Sequence, residues 1–159
     1  MKKLLELLAD NARYTNAEIG VMLGMSEKDV ENEIRRLEND GVIRGYKAII
    51  DWDKILNDRV TALIELKVTP QRDAGFEDIA AKIMSFPEVE TIYLMSGGYD
   101  FAVIVKGHTF KEVAMFVAKR LAPLDNVIST ATHFVLRRYK DMGADMIDYN
   151  GDDRGTFSF

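Results

Sequence analysis

The sequence predicts an α+β fold, in which an N-terminal helix-turn-helix precedes a ferredoxin-like βαββαβ domain. Apolar residues recur at helical spacing before residue 43, capped helical segments there end at glycines, and residues 60–139 alternate between strand-like and helix-like stretches. We therefore expect a helix-turn-helix over residues 1–43, an extended linker over 44–59, the βαββαβ domain over 60–140 and a weakly ordered acidic tail over 141–159.

Two predicted helix starts in the N-terminal segment carry capping residues. Thr15 and Glu18 fit the capping box, in which a hydroxyl and a carboxylate each accept a hydrogen bond from an otherwise free backbone N–H. Ser26 and Asp29 form a weaker version, with Asp in the place of Glu. These two signals place the starts of the second and third helices.

Glycines mark the ends of the same two helices. Gly24 and Gly41 stand where a left-handed residue would close each helix. Since only residues 24–26 separate the second helix from the third, the connection is the tight turn of a helix-turn-helix. The apolar residues at helical spacing are Leu4, Leu5, Leu8, Ile19, Met22, Leu23, Val30, Ile34 and Leu37.

Residues 42–139 change to an extended and then an alternating pattern. Val42 to Trp52 is predicted to be extended, and Asp51 to Arg59 a polar connector. Strands follow from β-branched runs, and helices from apolar residues spaced three and four apart. The predicted order is strand Val60–Val68, helix Asp73–Phe86, strands Val89–Met95 and Phe101–Val105, helix Thr109–Leu121, and strand Val127–Leu136.

This order predicts a four-stranded antiparallel sheet with both helices on one face. The strands are apolar on both faces, because Leu63, Ala102 and Ile104 alternate with the residues that would face the helices. We therefore expect a second copy of the chain to cover the face that lacks helices.

Composition excludes several function classes. The chain has 159 residues, a net charge of −5 and no cysteine, so it has neither a disulfide framework nor a thiolate metal site. Its apolar runs are too short to span a bilayer and it begins with no secretion signal, which predicts a cytoplasmic protein without a membrane partner. His108 and His133 stand in different elements without a ligand pattern around them, so we expect no metal and no cofactor.

Five segments, in this order, resemble a known family. They are residues 10–13 (DNAR), 16–19 (NAEI), 23–26 (LGMS), 36–46 (RLENDGVIRGY) and 96–101 (SGGYDF). Over about residues 3–140 the chain resembles the Lrp/AsnC family, the leucine-responsive or "feast/famine" regulators of bacteria and archaea.

The resemblance implies a sequence-specific, DNA-binding transcriptional regulator without enzymatic activity. It implies a winged helix-turn-helix and an effector domain that dimerises through its sheet, the dimeric α/β-barrel arrangement. It also implies assembly of dimers into larger oligomers, often octamers. The family's usual effectors are amino acids bound between dimers, so the expected partners are double-stranded DNA, an amino acid and further copies of the chain.

The charge of the third helix tests the DNA-binding prediction. Residues 1–59 carry ten Lys or Arg against twelve Asp or Glu, so the basic groups must be concentrated on one face if the segment binds DNA. At about 100° per residue, Val30, Ile34 and Leu37 form a buried stripe, and a polar stripe including Asn39 faces outward. With Ser26 at the start of the helix, the predicted DNA-binding residues are Ser26, Lys28, Asn32, Arg35 and Arg36. The alternative is that Arg35 and Arg36 only pair with Glu31, Glu38 or Asp40 on a solvated helix.

The loop between the second and third strands is the predicted effector site. Glycine leaves backbone N–H groups open to a ligand carboxylate, and Asp100 suits an ammonium group, so the loop matches a zwitterion. The alternative is a hairpin turn in which Asp100 caps its own backbone. The predicted effector-binding residues are Ser96, Gly97, Gly98, Tyr99 and Asp100, with Thr130, Thr132 and His133 of the last strand.

Two other functions remain open from the residues themselves. Ferredoxin-like dimers include enzymes such as small monooxygenases, although an added helix-turn-helix argues against that class. The chain is otherwise an effector-binding oligomer whose acidic third helix has lost its operator.

Overall fold

The structure, a computed structural model, describes residues 1–55, 58–69 and 75–147. The chain divides into two compact units, Met1–Ala48 and Ile49–Phe159. The first unit is helical, and the second contains the sheet.

The helical unit contains three α-helices, and its caps explain where two of them begin. Thr15 accepts a hydrogen bond from Glu18 N, and the Glu18 carboxylate accepts one from Thr15 N at 2.7 Å, so the predicted capping box is confirmed. Gly24 closes the second helix with φ +66°, a left-handed conformation that costs glycine little. The helices are α1 (Lys2–Asp10), α2 (Asn16–Leu23) and α3 (Glu27–Asn39).

The core of the helical unit lies where the three helices meet. Leu4, Ile19, Val30 and Leu37 are almost completely buried, one or two from each helix. Met22, which the apolar spacing places with this set, is half exposed. The second buried residue of α2 is instead Gly20, whose backbone packs against Met25 in the turn that follows.

The chain after α3 forms no strand within residues 42–51. Val42 N and Ile43 N both donate to Leu37 O, which folds the chain back against the end of α3. Residues 45–51 form no helix or strand and lead to a 3₁₀ turn at Trp52–Lys54. Residues 56–57 of the predicted connector lie outside the described residues.

The second unit contains the predicted four-stranded antiparallel sheet, in the strand order β2-β3-β1-β4. This confirms the ferredoxin-like βαββαβ order. Its elements are β1 (Val60–Val68), α4 (Glu77–Met84), β2 (Val89–Leu94), β3 (Phe101–Gly107), α5 (Phe110–Phe116) and β4 (Val127–Phe134).

Both helices pack on one face of this sheet. Alternate residues of β1 and β3 point to that face, as the period of two requires. The buried set is Ala62, Ile64, Leu66, Val68, Phe101, Val103 and Val105 from the strands, with Ile79, Ile83, Val113, Phe116, Val117 and Leu121 from the helical segments.

The opposite face of the sheet has no helix over it in the described residues. Thr61 and Ala102 are buried there by their neighbours, Leu63 and Ile104 are half-buried, and Tyr93 is 59% exposed. Coverage of this face by a second copy of the chain stays a prediction.

Both helices of the sheet unit differ from the sequence-based expectation. The helix expected from Asp73 begins at Glu77, and residues 73–74 lie outside the described residues. The helix expected to run to Leu121 is α-helical only to Phe116, and a π-helical turn, Val117–Leu121, completes it.

The tail expected to be weakly ordered begins with a small hairpin. Its strands are β5 (Lys140–Asp141) and β6 (Ala144–Asp145). Met142 and Gly143 connect them with φ +45° and +90°, and positive φ at both turn residues suits a two-residue hairpin. The remainder of the tail, residues 148–159, lies outside the described residues.

Candidate functional site

The start of α3 is fixed by Ser26. Its hydroxyl accepts a hydrogen bond from Asp29 N at 3.1 Å and donates one to the Asp29 carboxylate at 2.6 Å. A serine hydroxyl has one hydrogen to donate, so Ser26 can donate to a phosphate only if Asp29 releases it. The residue therefore caps the helix in the free chain.

The other predicted DNA-binding residues share one side of α3. Val30 and Leu37 are buried in the helical core. Four side chains on the side away from that core are exposed: Lys28, Asn32, Arg35 and Arg36. The structure thus presents these four side chains together to solvent.

Both arginines of this face are paired with acids of the same helix. Arg35 Nη2 lies 2.6 Å from Glu31 Oε1. Arg36 donates from Nε and Nη2 to the two oxygens of Glu33, at 3.0 and 2.7 Å, and its Nη1 lies 3.5 Å from Asp40. The ion pairs of the alternative interpretation are therefore present, with Glu33 in addition.

The bidentate pair changes the acidity of both partners. Hydrogen bonding by Arg36 lowers the pKa of Glu33 below its usual value. The same bonds from Glu33 raise the pKa of Arg36 above its usual value. Because both charged forms are favoured, this pair persists at neutral pH.

Lys28 differs from the two arginines. Within residues 1–55, 58–69 and 75–147, no acidic group lies within 4.0 Å of its ammonium group in an ion pair. Its side chain is exposed in the first turn of α3. It is therefore a cation that remains available to a phosphate.

The chain after α3 supplies two cations that were not among the predicted site residues. Arg44 and Lys47 are exposed, and the Arg44 guanidinium lies beside Gly41. Tyr46, between them, donates a hydrogen bond to Glu38 at 3.1 Å. The pKa of the Tyr46 hydroxyl is raised, mainly because the group is partly buried and secondly because it donates this bond. The signal in the sequence is the basic spacing of residues 44–47 directly after the helix.

The predicted effector loop joins β2 to β3. Ser96, Gly97 and Gly98 are exposed, and a Cβ added to either glycine would meet nothing within 4 Å. Met95 N donates to Asp100 O at 2.7 Å and closes the hairpin. The loop backbone is thus open to an approaching molecule.

Asp100 has a structural contact in addition to its place in the loop. Its carboxylate accepts a hydrogen bond from Val68 N at 2.8 Å, and Asp100 N donates to Leu66 O at 2.9 Å. The Asp100 carboxylate therefore satisfies the backbone N–H of Val68, the last residue of β1. The alternative interpretation expected Asp100 to cap its own backbone instead. Tyr99, beside it, is half-buried.

The predicted partners on β4 do not join this loop within one chain. β1 lies between β4 and β3, and Thr130 and Thr132 are opposite Leu66 and Ile64, on the face that carries the helices. His133 lies on the other face, with Nε2 3.3 Å from Glu65 Oε1. The loop, the threonines and His133 thus occupy three places on one chain.

The described residues offer no metal site and no membrane span. In ranges 1–55, 58–69 and 75–147, no group of three His, Asp or Glu side chains could hold a metal ion. His108 Nδ1 lies 3.7 Å from Asp58 Oδ2, and the Glu112 carboxylate accepts a hydrogen bond from the backbone N–H of His108. No helix in those ranges is long and apolar enough to cross a membrane.

Comparison with protein families matches each unit separately. Residues 1–44 match a winged helix-turn-helix DNA-binding domain. Residues 61–145 match the Lrp/AsnC ligand binding domain. The second match covers more than half of the chain.

Individual relatives match over nearly the whole length. YugG of Bacillus subtilis (strain 168), an uncharacterised HTH-type transcriptional regulator, is 44% identical over 142 residues, which cover 89% of this chain and 86% of YugG. A transcriptional regulator of Neisseria meningitidis in complex with L-methionine is 27% identical with a TM-score of 0.70, over 87% of this chain and 89% of that one. A feast or famine regulatory protein of Mycobacterium tuberculosis, also complexed with L-methionine, is 25% identical with a TM-score of 0.69, over 87% and 90% of the two chains.

Proposed function

Since the chain belongs to the Lrp/AsnC family of transcriptional regulators, we propose that the outward face of α3 reads an operator and that the sheet unit senses an amino acid. The family matches show both parts of this function, a DNA-binding helix-turn-helix and a ligand-binding domain. The proposed DNA-contacting residues are Ser26, Lys28, Asn32, Arg35 and Arg36.

The exposed pair of Lys28 and Asn32 is the observation that carries the DNA-binding proposal. Lys28 is a cation without an acidic partner in the described residues, which suits a phosphate. Asn32 lies one turn further along the same face, and its amide can bond adenine at N6 and N7 in the major groove. Because Glu31 and Glu33 flank Asn32, we expect weak binding to unrelated DNA.

Fluorescence anisotropy at fixed salt tests these two roles on two duplexes. One duplex is selected by the protein from a random library, and the other is a scrambled version of it. Lys28→Ala should weaken binding to both by about the same factor and reduce the salt slope by about one unit, because one phosphate contact is lost. Asn32→Ala should weaken binding to the selected duplex alone, by about ten-fold.

Lys3→Ala is the matched control, since Lys3 is an exposed cation of α1 outside the proposed face. It should bind both duplexes as the wild type does. An equal loss on both duplexes from Asn32→Ala would remove its base-reading role.

We also propose that an amino acid binds at the loop Ser96, Gly97, Gly98, Tyr99 and Asp100. Two similar proteins are complexes with L-methionine, and the loop backbone here is open. Thr130, Thr132 and His133 are the further proposed contacts. Because one chain holds them apart from the loop, we propose that the site closes where copies meet, in a homodimer that assembles further, up to an octamer.

Calorimetry with L-methionine, followed by the other nineteen amino acids, tests the ligand, with light scattering to follow the oligomer. Gly98→Val should abolish the heat of binding without unfolding the protein, because a side chain there covers the loop backbone but meets no neighbour. Lys111→Val, on an exposed residue of α5 at the other end of β3, is the control. No heat from any amino acid with an intact oligomer contradicts the proposal, and heat unchanged by Gly98→Val moves the site away from this loop.

We further propose that the protein acts in the cytoplasm, where it reaches chromosomal DNA, and without catalysis. The relatives named above support this, since YugG and the Neisseria meningitidis protein are named as transcriptional regulators. A gel shift with genomic fragments distinguishes this function from that of a ferredoxin-like enzyme.

A further inference from the structure

The two arginines on the outward face of α3 differ in how much of each guanidinium is occupied. Arg35 makes one contact, from Nη2 to Glu31 Oε1 at 2.6 Å. A guanidinium has five N–H donors, so Arg35 keeps four of them: the hydrogen on Nε, one on Nη2 and both on Nη1. Nη1 and Nη2 present the parallel donors that guanine O6 and N7 accept in the major groove.

Arg36 is occupied on both sides. Its Nε and Nη2 are held by the two oxygens of Glu33, and Asp40 stands 3.5 Å from Nη1. Its Nη2 also lies 3.5 Å from Met1 Sδ, at the start of α1. Arg36 therefore links α1 to the second half of α3, and reading a base would break a bidentate ion pair.

The acidic partners differ as well. The Glu33 side chain is 24% exposed, and that of Glu31 is 51% exposed. Glu31 therefore stands in solvent beside the face that would meet DNA. A carboxylate there repels phosphates but leaves an arginine free to bond a neutral base edge.

Resting on the proposed DNA binding and refining it at one residue, we propose that Arg35 reads a guanine and that Glu31 positions Arg35 for it. Arg36 then stabilises the helical unit through Glu33 and reads no base, so any contact it makes with DNA is to the backbone. The single bond from Glu31 restricts the rotamers of Arg35 before DNA arrives, which favours one docked geometry. The operator therefore contains a G·C pair whose recognition depends on residues 31 and 35 together. Glu31 also lowers affinity for unrelated DNA.

Selection from a random duplex library with the full-length protein tests this partition, variant by variant. Arg35→Ala should erase the preference for guanine at one position of the selected sequence, a loss of about ten-fold. Glu31→Gln, which keeps an acceptor, should reduce that preference by about two-fold, and Glu31→Ala should reduce it further. Both Glu31 variants should bind a scrambled duplex more tightly than the wild type.

Arg36→Ala is the contrasting variant. It should keep every base preference of the wild type and lower the thermal midpoint of the helices by circular dichroism. Loss of a base preference in Arg36→Ala while Arg35→Ala keeps them all would overturn the inference alone. If the wild type enriches no sequence from the library, the proposed operator reading fails, and this inference with it.

Discussion

Gly20→Ala is expected to loosen the helix-turn-helix, although alanine is the better helix former. A Cβ at residue 20 would lie 2.7 Å from Met25 O and 3.6 Å from Glu27 N. Met25 N also donates to Gly20 O at 2.9 Å, so the turn closes directly on this residue. Relief of the contact must move backbone, because no flexible side chain is involved.

Two opposing effects set the magnitude. Alanine in place of glycine inside a helix is worth about 1 kcal/mol. Overpacking against fixed neighbours costs about 1–3 kcal/mol. The net expectation is that the free energy needed to open α2 and the turn falls by about 1 kcal/mol. Because the added methyl group displaces the backbone of the turn, the start of α3 also shifts.

Hydrogen exchange with mass spectrometry measures this locally. The amides of α2 and α3 should exchange about five-fold faster in Gly20→Ala. The urea midpoint followed by Trp52 emission should be the same in Gly20→Ala as in the wild type. Trp52 belongs to the sheet unit, where the Arg59 guanidinium carbon lies 3.7 Å from the centre of its ring. Slower exchange in Gly20→Ala would refute the reasoning, because it would show that helix propensity exceeds the contact.

Val21→Ala is the control on the same helix. Its side chain is 86% exposed, so the substitution removes no packing. Exchange in α2 and α3 should remain within a factor of about two of the wild type.

The remaining predictions concern the caps of the two units. Thr15→Ala removes the acceptor for Glu18 N and should destabilise the helical unit by about 1 kcal/mol, measured by circular dichroism; an unchanged midpoint contradicts it. Bonds from Thr15 hold the pKa of Glu18 below its usual 4.5, so its stabilisation is present above that value and is lost as the pH falls through the lowered pKa. The difference in thermal midpoint between wild type and Glu18→Gln should therefore shrink on acidification, and a constant difference contradicts this. Asp100→Ala leaves the buried Val68 N–H without its acceptor and should cost the sheet unit about 1–3 kcal/mol in urea unfolding followed by Trp52, with Asp100→Asn costing less; equal loss from both contradicts the charge-assisted bond.

Local signals predicted the elements well where the information lies within a few residues. The Thr15 box, the left-handed Gly24 and the strand Val60–Val68 all stand where the sequence placed them. Each depends on a cap, a backbone conformation or an alternation of period two, and each is visible in a short stretch of chain.

Contacts between distant residues could not be predicted in the same way. Apolar spacing predicts that Met22 is a core residue, but Met22 is half exposed and Gly20 is buried in its place. The reason is that the turn after α2 lies directly against the backbone of Gly20. The hairpin in the tail was missed because Met142 is an unusual residue for a positive φ.

The candidate site shows the same division. The sequence alone determined which side of α3 faces outward, because burial of Val30 and Leu37 fixes the rotation of the helix. Only the structure decided the partners on that face, since Arg36 occupies both oxygens of Glu33 and Arg35 takes a single bond from Glu31.

In the sheet unit the sequence alone determined the order of the elements and the open loop at residues 96–100. The tertiary structure decided that β1 separates β4 from that loop and that Asp100 bonds to Val68, 32 positions away along the chain. The physical reason is that periodicity and caps act between near neighbours, whereas strand order and long-range hydrogen bonds are set by packing the whole sheet against its helices.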